Sequence, residues 1–200
     1  MLAAQNLITD EEYLEADAAS DVRLELIGGE IVAMAAAEPI HALIAANVLT
    51  ALPNRLTGQP CLVFDSSIRV RLGDAGAYAY PDATVACPPR IFLATKPATL
   101  ATPTVVFEVL SPSTEVYDRG DKFADYRTSD TLKSYVLVST RAQRVEHFSR
   151  LGPHDWHMTD IIGEGGLLLA VLGVEIPLAE IFEGVEALHE DLAERPVSDH

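Results

Sequence analysis

The pattern of apolar and polar positions along the 200-residue chain predicts a mixture of helices and strands. Residues 9–12, Thr-Asp-Glu-Glu, have the spacing of a helix capping box and predict a helix that ends near Ala16. Apolar positions from Ile40 onward predict a second helix, which Pro53 should kink or end. A third helix is predicted over residues 117–128, after a Ser-Pro-Ser-Thr segment that supplies capping hydroxyls.

Short apolar segments bounded by glycine, proline and polar residues predict the strands. Gly28-Gly29 separates two such segments and predicts an N-terminal β-hairpin. The Pro-rich residues 88–103 are expected to form a loop, and a weak helix is expected from Leu178. The other predicted strands are residues 61–72, 78–87, 104–110, 134–139, 144–149, 158–162 and 167–172.

This order of elements predicts an α/β fold with a central mixed sheet flanked by helices. Two hundred residues are enough to bury one core, so we expect a single domain spanning residues 1–200. Its core is expected over about residues 20–150, with a C-terminal extension of strands and a helix over about residues 151–190.

Two acidic residues interrupt predicted strands that are apolar on both faces, as strands at the covered centre of a sheet are. Asp82 lies within residues 79–87, and Glu108 lies within residues 104–110. An unpaired carboxylate in such a place costs several kcal/mol, so it needs a metal, a cation or good hydrogen bonds. The two acids therefore belong either to a structural network, with Glu108 paired to Arg69 or Arg71, or to a metal site.

A metal site of this composition suits phosphate chemistry. Magnesium prefers oxygen ligands, usually one or two carboxylates together with waters and phosphate oxygens of the substrate. Such an ion polarises the scissile phosphate and helps to deprotonate an attacking water. A nearby lysine can stabilise the charge that develops on the phosphate.

The arrangement of these residues resembles the Uma-two branch of the restriction-endonuclease-like superfamily, whose motif is Pro-Asp…Asp/Glu-x-Lys. The matching segments are Tyr80-Pro81-Asp82, residues 107–114 (Phe-Glu-Val-Leu-Ser-Pro-Ser-Thr), the hairpin sequence Glu-Leu-Ile-Gly-Gly-Glu at residues 25–30, His41 at the start of a helix, and the helix residues Asp118, Lys122 and Tyr126. The resemblance spans roughly residues 9–185. It implies a restriction-endonuclease-like fold and a metal-dependent endonuclease that hydrolyses phosphodiester bonds, of DNA rather than RNA.

The resemblance also implies roles for single residues. Asp82 and Glu108 are expected to bind Mg²⁺ or Mn²⁺ and, with Lys122, to form the catalytic set. Glu25 and His41 are auxiliary candidates. The superfamily pattern places its lysine two residues after the second acid, where this chain has Leu110, so Lys122 of the next helix is expected to replace it. The alternative for Lys122 is a surface ion pair with Asp118, four residues away.

The charge distribution bears on the partner. The net charge of −16 argues against indiscriminate nucleic-acid binding, but residues 41–150 carry ten acids and twelve bases, which leaves room for a local basic groove. A non-catalytic binding or regulatory module on the same fold is therefore the alternative function. A third hypothesis is a structural protein that self-associates through the apolar residues 167–172 and 176–182, and a homodimer is expected.

The cellular setting is predicted from the cysteines and from hydropathy. Cys61 and Cys87 lack the paired spacing of a metal site, and we expect them to be reduced thiols of a cytoplasmic protein, with a disulfide between them as the less favoured alternative. No segment approaches the roughly 18 consecutive apolar residues that cross a membrane, so no membrane partner is expected.

Overall fold

The computed structural model describes residues 7–34, 37–73, 76–112 and 114–194. The predicted capping box opens the first helix: the Thr9 side chain accepts a hydrogen bond from the Glu12 amide, and the Glu12 carboxylate accepts one from the Thr9 amide. This helix continues to Ala19, beyond its predicted end. The helices are α1 Asp10–Ala19, α2 Pro39–Arg55, α3 Glu115–Arg119, α4 Asp121–Tyr126, α5 Leu178–Ile181 and α6 Val185–Ala193.

The predicted N-terminal hairpin is present. Gly28 and Gly29 both have positive φ, 58° and 82°, as a two-residue hairpin turn requires. The strands are β1 Leu24–Ile27, β2 Glu30–Ala33, β3 Leu62–Asp65, β4 Arg69–Leu72, β5 Ala77–Ala79, β6 Ala83–Ala86, β7 Phe92–Leu93, β8 Thr99–Leu100, β9 Val105–Leu110, β10 Ser134–Ser139, β11 Arg144–Arg150, β12 Trp156–Ile162, β13 Gly166–Leu169 and β14 Val174–Pro177.

Two six-stranded sheets organise the described residues. We call the sheet with strand order β2-β1-β5-β4-β8-β7 the hairpin sheet, and the sheet with order β12-β11-β10-β9-β6-β3 the central sheet. In the central sheet β9 and β10 are parallel and the other neighbours are antiparallel, so the predicted mixed sheet is confirmed. Strands β13 and β14 pair with each other.

The middle strands of the central sheet are covered on both faces, as their apolar sequences predict. On β9, Val105, Phe107 and Val109 pack with α2 and with the C-terminal elements. The alternate residues Val106 and Leu110 pack with the hairpin sheet and α4. Successive side chains of a strand point to opposite faces, so Glu108 shares the face of Val106 and Leu110. Its carboxylate therefore points into the layer that holds the hairpin sheet and α4.

Three predicted elements are interrupted in the structure. Residues 61–72 form β3 and β4, separated by a turn in which the Asp65 carboxylate accepts a hydrogen bond from the Ser67 amide at 2.9 Å. Residues 78–87 are broken around Pro81, which has no amide hydrogen to donate to a ladder. The helix predicted over residues 117–128 becomes α3 and α4, because Gly120 has non-helical φ and ψ of −104° and −101°.

The break around Pro81 has a topological consequence: it carries the chain from β5 in the hairpin sheet to β6 in the central sheet. Two further expectations need correction. The predicted loop over residues 88–103 contains the short strands β7 and β8, which pair with each other at the edge of the hairpin sheet. Pro53 does not end α2, since it lies within the helix, which continues to Arg55.

The expectation of free cysteines is wrong: Cys61 and Cys87 form a disulfide. Their positions follow from the register of β3 and β6, in which Leu62 lies opposite Ala86. The next pair outward in this antiparallel ladder is Cys61 and Cys87, and their Cα atoms are 4.1 Å apart. The argument for a cytoplasmic setting from reduced thiols therefore no longer holds.

The apolar C-terminal segment packs inside the chain. Leu167, Leu169, Ile176 and Ile181 are fully buried in the core that also contains α2. These four side chains are therefore covered within the chain, whereas Leu168 and Val171 of the same segment stay exposed. No helix within the described ranges is long and apolar enough to cross a membrane.

Candidate active site

Asp82 and Glu108 are neighbours across two strands of the central sheet. Ala83 of β6 lies opposite Phe107 of β9, and the antiparallel register therefore places Asp82, just before β6, opposite Glu108. Both side chains line one cavity, and Glu108 is only 4% exposed. The two candidate acids therefore lie side by side at the cavity, Glu108 on β9 and Asp82 just before β6.

The Asp82 carboxylate is held in place by two hydrogen bonds. Its Oδ2 accepts from the backbone amide of Val109 at 2.7 Å, and its Oδ1 lies 2.9 Å from Nε2 of His41. His41 is in the first turn of α2, so that helix brings it to the end of the sheet. Burial lowers the pKa of His41, but the hydrogen bond and charge of Asp82 outweigh burial and raise it overall. The contact therefore favours an imidazolium–carboxylate pair.

Lys122 of α4 lies at the centre of a group of acids. Its Nζ is 3.0 Å from Oε1 of Glu108, 3.2 Å from Oε1 of Glu25 and 3.6 Å from Oδ1 of Asp118. Burial lowers the pKa of Lys122, but these three carboxylates raise it well above its ordinary value. The side chain is therefore a buried ammonium that depends on its acidic neighbours.

One ammonium does not balance three carboxylates. Burial raises the pKa of Glu108 well above its ordinary value, and the negative charges of Asp118, Asp82 and Glu25 raise it further against the opposing charge of Lys122. Burial likewise raises the pKa of Asp118. The site therefore holds more acid than its own cations neutralise, which favours binding of an additional cation.

Glu25 reaches this group from the hairpin sheet. It is buried on β1, and its Oε1 accepts a hydrogen bond from the Tyr80 amide at 2.9 Å as well as contacting Lys122. The Tyr126 hydroxyl of α4 donates to Oε1 of Glu108 at 3.0 Å. Elements of both sheets and of α2, α3 and α4 thus meet at one place.

A cavity of about 720 Å³ opens over these side chains. A volume of this size is typical of small-molecule sites. The cavity is lined by acids and cations, by the second hairpin strand, and by the segment after β9. The lining residues are Glu25, Val32, Ala33, Met34, Glu38, His41, Tyr80, Asp82, Glu108, Val109, Ser111, Pro112, Thr114, Tyr117, Asp118 and Lys122.

All five residues singled out in the sequence, Glu25, His41, Asp82, Glu108 and Lys122, line this cavity. Their proposed roles stay predictions, and two details of the structural alternatives are wrong: the partner named for Glu108 and the surface location of the Lys122–Asp118 pair. Arg69 and Arg71 contact Asp17 and Asp10 and not Glu108. Lys122 and Asp118 form a buried pair and not a surface pair, with exposed fractions of 4% and 3%.

Two cavity residues were missed as site candidates. Asp118 was recognised only as a partner of Lys122, although its burial makes it a fourth carboxylate of the site. Tyr117 carries no signal in the sequence, since an aromatic residue early in a helix is as a rule a packing residue.

The donor set fits a hard divalent cation. Within the described ranges no three His, Cys, Asp or Glu side chains are already grouped around a common point, because the Lys122 ammonium lies among the acids. Magnesium needs only one or two protein carboxylates, however, and Asp82 and Glu108 supply two from adjacent strands. Glu108 contacts both Lys122 and Tyr126 through Oε1.

Comparison with known proteins gives a consistent result. A family model described as "Uma2: Putative restriction endonuclease" matches residues 10–179. Two uncharacterized proteins of Synechocystis are similar in sequence: sll1609 is 30% identical over 82% of this chain and 93% of its own length, and slr1290 is 31% identical over 89% and 93%. A crystal structure of a "putative nuclease belonging to DUF820" from Anabaena variabilis superposes with a TM-score of 0.71 at 16% identity, covering 89% of this chain and 99% of that one.

Proposed function

The chain belongs to the Uma2 family and has a restriction-endonuclease-like fold, and on that premise we propose that it is a metal-dependent endonuclease that hydrolyses phosphodiester bonds of DNA. The observation that carries the proposal is the meeting of Asp82, Glu108 and Lys122 at one cavity, from three separate segments of the chain. DNA is proposed as the substrate because restriction endonucleases, which the family description names, cut DNA.

Each residue has a role that its surroundings support. Asp82 and Glu108 would hold Mg²⁺ or Mn²⁺, and Glu25 is close enough to the group to assist directly or through water. When bound, such an ion would supply polarisation of a phosphate and a lowered pKa of a water. Lys122 stabilises negative charge on the phosphate, and it is kept protonated for this purpose by the acids around it. His41 orients Asp82 through its hydrogen bond.

The excess of carboxylates over cations at the cavity explains why the proposed cleavage would require a divalent metal ion. Four carboxylates line the cavity, those of Asp82, Glu108, Glu25 and Asp118. Among the described residues, their cationic partners are Lys122 and His41. A phosphodiester that approached this surface without a metal would be repelled. With a divalent ion held by Asp82 and Glu108, the local charge would change sign and the same surface would attract phosphate.

The first test measures plasmid nicking together with metal binding by calorimetry. Lys122→Gln should lower cleavage about 10²–10³-fold, the usual cost of one electrostatic group at a transition state. Lys133→Gln is the matched control, because Lys133 is an exposed lysine whose Nζ contacts only the carbonyl of Asp130. If both lysine variants cleave like the wild type, Lys122 has no role in the chemistry.

The second test concerns the metal. Asp82→Asn should weaken Mg²⁺ and Mn²⁺ binding and abolish nicking, because an amide replaces a charged ligand. Asp160→Asn, at an exposed position on β12, should leave both unchanged. A wild-type protein that binds neither ion and nicks no DNA, despite being folded by circular dichroism, would refute the nuclease proposal.

A second candidate, a non-catalytic binding or regulatory module, is favoured by one observation. The Lys122 ammonium already satisfies Glu25, Glu108 and Asp118, so the buried group is partly neutralised without a metal. In that case nucleic acid should bind without being cut and without a requirement for Mg²⁺.

Three further expectations concern the domain organisation, the oligomeric state and the cellular location. The chain acts as a single domain, because α2, the central sheet and the C-terminal elements share one apolar core. A homodimer and a cytoplasmic location stay predictions; most of the apolar segment named for self-association is covered, and the two cysteines are joined in a disulfide. Light scattering at micromolar concentration tests for the homodimer, and fractionation of cells tests the cytoplasmic location.

A further inference from the structure

The cavity over the acids is larger than a hydrated metal ion and one phosphate group need. A magnesium ion with six water ligands occupies roughly 180 Å³, at about 30 Å³ for each water. The cavity has a volume of about 720 Å³, which suits a ligand of the size of a whole nucleotide. Most of its space is therefore left for another part of the substrate.

The edge strand of the hairpin sheet gives this cavity an apolar wall. Val32 of β2 lies directly opposite Glu25 of β1 in the antiparallel register, so the two side chains share one face of the sheet. The Met34 amide donates to the carbonyl oxygen of Arg23 at 2.9 Å, which continues the pairing and places Met34 on the same face as Val32. Val32 and Met34 both line the cavity, and we call them the β2 wall.

The β2 wall is accessible to a ligand. Ile31 points to the other face of the strand and packs with the apolar cluster around Tyr13, whereas Val32 is 42% exposed. Pro112, after β9, is a further exposed apolar residue of the cavity lining. Single exposed apolar residues are common on protein surfaces. These residues, however, border the same cavity as the carboxylates, and a cavity with an apolar part and a few charged groups is the usual form of a ligand site.

The charges at the cavity do not provide for binding along a duplex. Among the described residues, the cations of its lining are Lys122 and His41, and both are already paired with carboxylates. The guanidinium groups of Arg119 and Arg144, in the basic middle segment of the chain, are likewise paired with Glu146. A protein that binds along the DNA backbone instead neutralises several phosphates with lysines and arginines. Contacts other than those with backbone phosphates are therefore needed to hold the substrate, and an apolar wall offers them to a base.

We propose that the β2 wall receives the base of an unstacked nucleotide whose phosphate lies at Asp82, Glu108 and Lys122, and that the substrate is accordingly single-stranded DNA. This inference rests on the proposed function and narrows its substrate class. The faces of a nucleobase bind apolar side chains, but in a duplex neighbouring bases cover those faces. A duplex would have to unstack a base before that base could enter the cavity, whereas in a single strand the base is already free to do so.

The first experiment separates the base from the phosphate. Calorimetry in Mg²⁺ compares thymidine 5′-monophosphate with 2-deoxyribose 5-phosphate, which has the same sugar and phosphate without the base. The wild type should bind the nucleotide at least about tenfold more tightly, because the base adds buried apolar area. The variant Val32→Thr/Met34→Gln keeps the size of both side chains but makes them polar, and it should lose most of this preference.

The variant Val171→Thr/Met158→Gln is the matched control. Val171 and Met158 are 46% and 48% exposed and lie outside the cavity lining. This variant makes the same two changes of residue type and should keep the full preference for the nucleotide. Circular dichroism should show both double variants folded, because the changed side chains are not part of the core. An equal loss of preference in both would show that the β2 wall does not bind the base.

The second experiment uses the wild type alone and measures cleavage of one oligonucleotide, as a single strand and annealed to its complement. The single strand should be cut at least about tenfold faster, because the duplex must first unstack a base. Equal cleavage of the two forms, or cleavage by a protein that binds the nucleotide no better than the sugar phosphate, would overturn the inference and leave the nuclease intact. A protein that prefers the nucleotide through the β2 wall but cuts neither form would support the base-binding role and refute the nuclease.

Discussion

At the scale of single residues, Lys122 is the cation on which three buried carboxylates depend. Removing one partner of a buried ion pair typically costs 3–5 kcal/mol, because the remaining charge is left uncompensated. Lys122→Met should therefore lower the free energy of unfolding by about 3 kcal/mol or more in EDTA, measured by urea denaturation. Magnesium should restore part of the loss by replacing the missing positive charge.

Lys133→Met controls for loss of a lysine at an exposed position and should change stability by less than about 0.5 kcal/mol. Equal stability of the Lys122 and Lys133 variants in EDTA would show that the carboxylates do not depend on Lys122. A loss in Lys122→Met that magnesium leaves untouched would argue against a metal beside the same acids.

His147 should make stability depend on pH. It is buried on β11, its Nε2 lies 3.1 Å from the Ser134 hydroxyl, and burial, together with the charge of His157, lowers its pKa to about 4. An unfolded histidine titrates near 6.5, so between these values the unfolded state binds the proton and the folded state does not. Stability is therefore full above pH 6.5 and falls as the pH is lowered toward 4.

One pKa unit corresponds to about 1.4 kcal/mol, so this residue alone should cost about 2 kcal/mol between pH 7 and pH 5. Denaturation at both pH values should show that His147→Gln loses less stability than the wild type by about that amount. His154→Gln, at an exposed position, should lose as much as the wild type. Identical pH dependence in all three proteins would contradict the prediction.

At the scale of elements, the turn after β4 packs against the end of the segment that carries Lys122. Gly73 has φ of 56°, and a Cβ there would overlap the Thr128 side chain and lie 2.9 Å from its backbone carbonyl carbon. Gly73→Ala should lower the free energy of unfolding by about 2–4 kcal/mol, from left-handed strain and from overlap together. Gly58→Ala provides the control, because Gly58 has a similar φ of 80° but open space around it.

Gly58→Ala should cost only the backbone strain, about 1–2 kcal/mol, measured by the same denaturation. Similar losses for the two variants would mean that Thr128 moves away freely. In that event the turn does not support the position of α4.

The elements also show which parts of the site were predictable. Asp82 and Glu108 could be recognised because acids are conspicuous in strands that are otherwise apolar. The ends of the strands around them could not be predicted, since the break at Pro81 depends on which sheet each half of residues 78–87 joins. Tyr117 was invisible for a related reason: an unbroken helix over residues 117–128 would turn it away from Lys122, and only the conformation of Gly120 prevents this.

At the scale of the whole molecule, the Cys61–Cys87 disulfide ties the edge strand β3 to β6 across a separation of 26 residues. A disulfide that closes a loop of this length stabilises the folded state by roughly 3–4 kcal/mol. Guanidinium denaturation should show a loss of that size when a reductant is added. The double variant Cys61→Ala/Cys87→Ala should be insensitive to reductant, and a wild type that is equally insensitive would show that the thiols are not joined.

The crossing of the chain between its two sheets has a consequence for folding. Glu25 belongs to the hairpin sheet and Glu108 to the central sheet, while Asp82 follows the crossing and Lys122 bridges the other two. Contacts between residues so distant in sequence are costly in loop entropy and form late in folding. A newly made or partly unfolded chain would therefore carry every residue of the proposed catalytic set yet lack the proposed nuclease activity. A cell that makes this protein would be exposed to that proposed activity only after both sheets have assembled, and any cleavage should return no earlier than the slowest phase of refolding.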